Sequence, residues 1–458
     1  MACEQRDLFP GEQLSGANVD VTAAYTQGPQ SAATAKLHAT QLSVLSETKK
    51  WITIIVIYLV GIFGFTRAGH VYCTFASTID QAHNDSQPAR RSRTYIDDGI
   101  LISPERLIDD SLEAYIALVV ALFGLDGANK EKIKKWPDRV EAIGWVLDLR
   151  TWLATPKKKG LDKMLVYLFD RISPGTRTAS TKDIERLVGL LSWYTPGIPA
   201  GSSFLGSLFA CKSRGYYKVK LSPLAIHDLN WWRAIALLAY QQPDLLGANI
   251  DYLRRVKTPS IFLRTDASSL TGGGGYLSTT YDGPPMDLPG GAIRWTRQEI
   301  AAFIDMGISI NVLEYFTAVY YIMLWLPQTR GQLVMLEVDN TSAVSWILSK
   351  RASRNASSDV IAKLFSLFCL SHNIHVECSH IRGVDNTIAD FRSRALDLLP
   401  QDADEAIVHG TKSERWSRTD ACRRLLYLCV TKPEEMHGQA LLNALTDLAG
   451  SHGPPSAV

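Results

Sequence analysis

Hydrophobic positions recur along this chain at two periods, and the places where the period changes outline its organisation. In "STKDIERLVGLLSWY" the apolar residues Ile184, Leu187, Val188 and Leu191 fall on one helix face. Ser180 and Thr181 are cap candidates and Asp183 and Glu185 occupy the first turn, so this stretch predicts a helix. "LSPLAIHDLNWWRAIALLAY" repeats the design with Pro223 near its start, where a missing amide costs nothing. Residues from about 155 to 245 therefore read as helical. Upstream, residues 1 to about 150 alternate strand-like and helix-like runs between polar loops, notably "IDQAHNDSQPARRSR". A second alternating region starts near Pro259. "SIFLRTDAS" reads as a strand ending on Asp266, and "LTGGGGYLS" as a glycine turn returning into a strand. "NVLEYFTAVYYIML" has a helical period, "QLVMLEVDNTSAVSWIL" is a strand then a helix, and "NIHVECSHIRG" is a further strand. After about residue 400 the chain turns polar, keeps a short helical pattern in "RTDACRRLLYLCV", and ends in "GSHGPPSAV", which is expected to be disordered.

One apolar run invites a different reading. "ITIIVIYLVGIFGF", Ile52 to Phe65, carries no charge but falls short of the ~18 residues expected of a membrane span. Its β-branched residues and Gly61 and Gly64 suit a buried strand running into a turn; a membrane anchor is the competing reading. The N-terminus lacks the basic leader and apolar core of a signal peptide. Length of 458 residues suits roughly three domains. A content of 46% hydrophobic and 21% charged residues describes a globular chain with ample core. The net charge of +2 says little about partners, so any nucleic-acid surface must be a local patch. Lys157, Lys158 and Lys159 in "TPKKKGLDK", with "RISPGTRT" beyond, make a basic stretch that is either a solvated face or a phosphate-tracking patch. Seven cysteines without a Cys-x-x-Cys spacing argue against zinc or a disulfide framework and fit a reducing, intracellular setting, cytoplasm or nucleus.

The candidate chemistry is acidic. "RTYIDDGILIS", Arg93 to Ser103, reads locally as a hairpin turning at Asp98-Gly99, but Asp97 beside Asp98 asks for a cation or water to screen it. Further on, Asp266 and Asp339 end strands, Glu314 lies on a helix between them, and Asp390 sits in "DNTIADFRSR". Each alone suits a surface acid or a cap. Together, four carboxylates at the ligand-gathering end of an α/β sheet would bind two Mg²⁺, one activating water and one stabilising the leaving oxygen of a phosphodiester.

These segments resemble a known family. "TDASSLTGGGGY", "INVLEYFTA", "VDNTSAVSWI" and "HIRGVDNTIADFRSR" look like the four acidic motifs of the ribonuclease H domain in retroelement polyproteins. Gly383, Asn386, Ala389, Asp390, Ser393 and Arg394 match its G-x-x-N-x-x-A-D-x-x-S-R pattern. The resemblance implies Asp266, Glu314, Asp339 and Asp390 as catalytic metal ligands and His380 as a weaker proton-handling candidate. "YIDDG" resembles the Y-x-D-D hairpin of reverse transcriptases, and "NVDVTAAYTQGP" their D-x-x-x-A-[FY] strand. That likeness implies Asp20 and Asp97 as bridging ligands and Asp98 as a contributor to the local field. Tyr25 would lie under the sugar and reject a 2′ hydroxyl, and Phe63 and Gly64 of "FGFTRAGHVYCTF" would line the template. "GANKEKIKKW" and "VEAIGWVLD" are similar to the pieces that follow the palm.

The likeness covers roughly residues 15 to 397, and "LSPLAIHDLNWW" is most like the tyrosine-recombinase (DIRS-type) retrotransposons. It implies an α+β palm over 1–150, a helical thumb and connection over 151–255, and an α/β ribonuclease H-like domain, a mixed sheet flanked by helices, over 256–398. Residues 399–458 would be a polar linker, short helices and a disordered tail. The implied cofactor is Mg²⁺ or Mn²⁺, two ions per site. The implied partners are RNA–DNA hybrid and single-stranded template, with dNTPs for a polymerase, and no membrane. Three features depart from the family: the chain starts almost at Asp20, with most of the fingers expected to be absent; Ile62 and Gly69 replace expected prolines; and residues 26–50 follow its pattern poorly. The expectation is a hydrolase of the RNA strand of hybrids with little primer extension. An inactive nucleic-acid-binding remnant, an integrase-like nuclease and the membrane-anchored protein are the alternatives.

Overall fold

The computed structural model describes residues 1–22, 24, 39–45, 50–57, 68–198, 200–212, 217–242, 247–253, 258–288, 290–352, 356–394, 415–436, 438, 440, 441 and 443. They divide into two compact units, 1–160 with 246–254, and 161–245 with 255–458.

In the first unit the strands Arg91–Tyr95, Asp98–Pro104, Leu14–Asp20 and Lys134–Trp136 form, in that order, an antiparallel sheet. Ala17, Val19 and Leu101 face Tyr72, Ala76, Ile79, Tyr115 and Val119 of the helices Ala68–Ser86 and Ile108–Phe123. Leu14 and Ile102 point the other way, into a cluster with Val140 and Ala154. Both sheet faces are thus covered, which is why "GILIS" reads as one apolar run. Val140 and Ala154 belong to a second antiparallel sheet, Arg139–Ala142, Trp145–Asp148, Leu153–Pro156 and Ala248–Asn249. Leu153–Pro156 and Ala248–Asn249, at the ends of the stretch read as helical, are therefore paired strands.

Three other local expectations are corrected. The hairpin turns at Ile96-Asp97, because Tyr95 pairs with Asp98 and Thr94 with Gly99. Ile79–Ser86, read as loop, closes the helix Ala68–Ser86: Ile79 and His83 are buried, and buried Asp80 accepts hydrogen bonds from the Thr94 amide (2.6 Å) and hydroxyl (3.1 Å). Polar residues placed for tertiary hydrogen bonds look like loop in a one-dimensional pattern. Trp51–Ile57 is a strand but pairs with Ala39–Leu45 alone in a two-stranded sheet, leaving Trp51 72% and Ile55 67% exposed rather than buried. Residues 58–65 of that run lie outside the described residues. No described helix is long and apolar enough to cross a membrane.

The second unit is built on a mixed sheet ordered Ala292–Arg294, Gly272–Ser278, Ile261–Ala267, Leu333–Val338, His375–His380, its last three strands parallel. The helix Ile310–Leu324 buries every residue from Val312 to Met323 against this sheet and its neighbouring helices. Among those neighbours, Arg415–Thr431 adds Cys422, Leu425, Leu426, Cys429 and Val430 to the same core, which extends past residue 398. Arg423 of that helix reaches the carboxylate of Glu299, whose own partner Thr296 completes a capping box on Arg297–Asp305. Thr181–Tyr194 buries the four apolar positions its spacing predicts, and Ser222 caps Pro223–Gln241 through the Ala225 amide at 3.1 Å.

The four glycines of "TGGGGY" are strand, not turn. A Cβ on Gly274 would lie 2.2 Å from the Ala389 carbonyl oxygen and 2.5 Å from the Ser393 nitrogen of the helix Thr387–Arg394. On the other face, a Cβ on Gly275 would lie 2.6 Å from the Tyr321 ring. Helices approach both faces too closely for any side chain. Gly274→Ala is expected to cost about 1–3 kcal/mol. Gly189→Ala in the helix Thr181–Tyr194, where a Cβ meets nothing within 4 Å, should instead stabilise by roughly 0.5–1 kcal/mol. Urea denaturation of the two variants checks both signs.

Candidate active site

Strand order creates the acidic centre. Ile261–Ala267 and Leu333–Val338 are adjacent and parallel, so Asp266 near the end of one and Asp339 just past the other emerge at the same edge. The helix Ile310–Leu324 brings Glu314 beneath them, and one carboxylate oxygen from each of the three lies within 4.8 Å of the others. Asp266 and Glu314 are buried and Asp339 half-buried. Glu314 Oε1 accepts from the Ala267 amide at 3.1 Å, whereas its Oε2 is buried without a partner. Ser393 Oγ donates to Asp266 Oδ2 at 2.5 Å. Asn386 Nδ2 donates to the Thr265 carbonyl at 2.9 Å, tying the start of the helix Thr387–Arg394 to the strand that carries Asp266.

Charge crowding and burial act together here. Burial first, and then the charges of Asp266 and Asp339, push the Glu314 carboxyl up to about 9. Burial also raises Asp266 to about 6, with Asp339 and Asp390 adding to it and the Ser393 hydrogen bond opposing. Asp339 is raised as well, chiefly by burial. Asp390 stands at the rim: its charge reaches both aspartates, but its carboxylate pairs with Arg394 at 2.6 Å and lies outside the group of three. His380 is exposed, and its Nε2 lies 3.1 Å from the Asp339 carbonyl oxygen. Three converging carboxylates, with an unpartnered buried oxygen on Glu314, are a donor set for a hard divalent cation. Asp266, Glu314 and Asp339 could therefore hold a metal ion.

The shifts fix a pH dependence. A carboxyl raised in the fold favours folding below its unfolded pKa, and that contribution is lost as pH rises through the folded value. Metal-free protein is accordingly expected to lose on the order of 4 kcal/mol of stability between roughly pH 5 and pH 8, because Glu314 alone loses about 1.4 kcal/mol per pH unit across that window. Millimolar Mg²⁺ should remove most of that slope, because ligands must deprotonate to bind. Urea melts at several pH values, with Mg²⁺ or EDTA, measure it.

The first unit holds the other acids. Asp20 and Asp98 are opposed on neighbouring strands, and the Val21 amide donates to the Asp97 carbonyl at 2.9 Å, so the fold brings all three aspartates to one place. Asp98 is raised by burial and then by the charges of Asp97 and Asp20. Their side-chain oxygens do not converge as the triad's do. Lys132 Nζ instead sits 3.2 Å from both carboxylate oxygens of Asp20. The turn is strained, with β-branched Ile96 at φ 56°. Tyr115 braces it: its hydroxyl is 2.7 Å from Thr94 Oγ1, and its ring packs where a Cβ on Gly99 would be. Tyr25, Phe63 and Gly64 lie outside the described residues. Lys157 is half-buried and paired with Glu141 at 3.6 Å, while Lys158 and Lys159 are exposed.

The sequence reading gave no role to Ser393, Asn386, Asp80, Tyr115 or Lys132. For Ser393 and Asn386 the signal was their fixed spacing from Asp390; Asp80 and Tyr115 act across 14 and 21 residues and leave no local mark.

No protein-family profile matches the sequence, and no curated protein matches it. Solved structures with a similar backbone include a foamy viral protease–reverse transcriptase bound to double-stranded DNA, at 13% identity and TM-score 0.42, covering 81% of this chain and 57% of that one. A second structure of that protein with double-stranded DNA gives 13% and 0.40, covering 81% and 68%. A third, with an RNA/DNA hybrid, gives 12% and 0.41, covering 81% and 44%. The chain thus spans a little over half the length of the first.

Proposed function

We propose that the second unit is a ribonuclease H-type hydrolase that cuts the RNA strand of RNA–DNA hybrids, in a chain of the retroelement reverse transcriptase–ribonuclease H type. The observation that carries this reading is the convergence of Asp266, Glu314 and Asp339 at one sheet edge with an unpartnered buried oxygen on Glu314. These three, with Asp390 at the rim, would hold Mg²⁺; a bound pair of ions supplies an activated water and stabilises the leaving oxygen. The chain's own part is positioning. Ser393 fixes Asp266, the Ala267 amide fixes Glu314, and Arg394 pairs with Asp390 at the rim. The four-motif resemblance, with "GVDNTIADFRSR" matching at six positions, supports the same assignment.

Asp20, Asp97 and Asp98 are assigned to a reverse transcriptase palm, with dNTPs and a template strand as its ligands. Primer extension is the weaker activity in this reading, because Lys132 engages Asp20 and the three carboxylates are not gathered. The decisive experiment is incubation of the full chain with an end-labelled hybrid in Mg²⁺, in Mn²⁺ and in EDTA. Cleavage of the RNA strand with either ion and none in EDTA is expected. An uncut RNA strand under all three conditions would overturn the hydrolase reading and leave a nucleic-acid-binding remnant.

A further inference from the structure

Residues 171–222 contain eight Lys and Arg against two Asp and Glu, a balance of +6 in a chain whose total is only +2. Six of the eight cations are described at side-chain level: Arg171, Arg177, Lys182, Arg186, Lys218 and Lys220. All six are exposed, and none makes a salt bridge among the described residues. Elsewhere on the surface Arg90, Arg106, Lys135, Arg382 and Lys432 each have an acid within 3.3 Å. Asp183 and Glu185 lie between Lys182 and Arg186 on the helix Thr181–Tyr194, but the strands Thr178–Ser180 and Lys218–Lys220 carry cations and no acid.

The geometry concentrates the charge. Thr178–Ser180 and Lys218–Lys220 form an antiparallel ribbon with Thr178 opposite Lys220 and Ser180 opposite Lys218. Ala179 and Val219 are buried beneath it, so alternation turns Thr178, Lys218 and Lys220 outward. Arg177 extends the ribbon through its carbonyl, which accepts from the Leu221 amide at 2.9 Å, and Lys182 follows in the first turn of Thr181–Tyr194. The two ribbon lysines stand two strand residues apart, about 7 Å. Like charges held this close repel in the free protein and are relieved by a polyanion. The platform is also rigidly tied to the acidic centre's own unit. Ser203 Oγ is 2.6 Å from Ser366 Oγ, and Lys363 binds Asp228, joining the helical segment to the helix Ala356–Ser371.

We infer that the ribbon Thr178–Ser180 with Lys218–Lys220, flanked by Arg177 and Lys182, is a sequence-independent clamp for the sugar–phosphate backbone of a nucleic-acid duplex. Its residues belong to the second unit, whereas Lys157–Lys159 belong to the first, and it deepens the proposed function by naming how the second unit holds its hybrid. Phosphate contacts position a duplex and carry no base information. Each one lost should lower the slope of log affinity against log salt by about 0.9, and affinity at about 0.1 M salt by on the order of tenfold.

The test is fluorescence anisotropy of a labelled hybrid over a series of salt concentrations, with the full chain carrying Asp339→Asn so that the RNA stays whole. Adding Arg177→Gln, Lys218→Gln and Lys220→Gln should lower the slope by about 2 to 3 and weaken binding at least a hundredfold. The loss should be equal for hybrids of unrelated sequence, and the melting temperature unchanged. An unaltered slope with intact folding overturns the clamp, as does a loss confined to one sequence or to an acidic polypeptide used as competitor. The clamp and the hydrolase reading fail separately. A hybrid bound through the ribbon but never cut by wild type in Mg²⁺ removes the second alone; normal cutting with an unaltered slope removes the first alone.

Discussion

Asp339→Asn is expected to abolish hybrid cleavage, by a factor on the order of 10³ or more, while leaving the fold intact. The substitution keeps the shape and removes the ionisable group from one of three carboxylates that converge within 4.8 Å. A bound ion contributes several kcal/mol of transition-state charge stabilisation, and each 1.4 kcal/mol is tenfold in rate. With the ion weakened or displaced the factor follows. Because the lost charge also raises Glu314, metal-free Asp339→Asn should be at least as stable as wild type near pH 8. Single-turnover cleavage and urea denaturation on one preparation separate the outcomes: lost cutting with retained stability is the expected pair. Undiminished cutting would show that Asp339 does not serve the reaction.

Lys363→Met should destabilise the second unit by about 3–5 kcal/mol, the largest effect on folding expected of any single change considered. Lys363 is 2% exposed and its ammonium lies 2.7 Å from Asp228 Oδ1 and 2.8 Å from Asp359 Oδ2. Asp228 is 1% exposed and accepts a further hydrogen bond from Ser207 at 2.5 Å. Removing the cation strands a carboxylate far from water, and that desolvation cost drives the loss. Adding Asp228→Leu to Lys363→Met should recover most of it, since a buried pair contributes little over well-packed apolar groups. Equilibrium urea melts of the single and double variants decide this, and a double variant no better than the single would contradict it.

The two large-effect sites were unequally legible. Asp266 and Asp339 stood out because an acid at a strand's end interrupts a hydrophobic rhythm, and Glu314 because it stands in a largely apolar helical run. Parallel pairing of the two strands then did the rest. Ile184, Leu187, Val188 and Leu191 were legible because a helix declares its buried face locally. Asp228 was invisible: it sits in "IHDLNWW" as any helical polar residue does, and its partner lies 135 positions on. The glycine run misled for a related reason. Glycine permits a turn or a close approach, and only the helices packing from both sides decide which. The hairpin was found but mis-registered, since Asp-Gly is a favoured turn pair and the cross-strand contacts of Thr94 and Tyr115 outweighed it.

The helix Arg415–Thr431 sets a timetable for biosynthesis. Its buried residues close a core whose first strand begins at Ile261, so some 150 residues must be synthesised before the two can meet. A ribosome adding about 5–20 residues per second takes roughly ten to thirty seconds over that stretch. Until then the apolar back of Ile310–Leu324 has no final cover from this helix, and the nascent chain offers it to chaperones or to its neighbours. The core beneath the acidic centre is thus complete only after translation has passed Asp390 by several dozen codons.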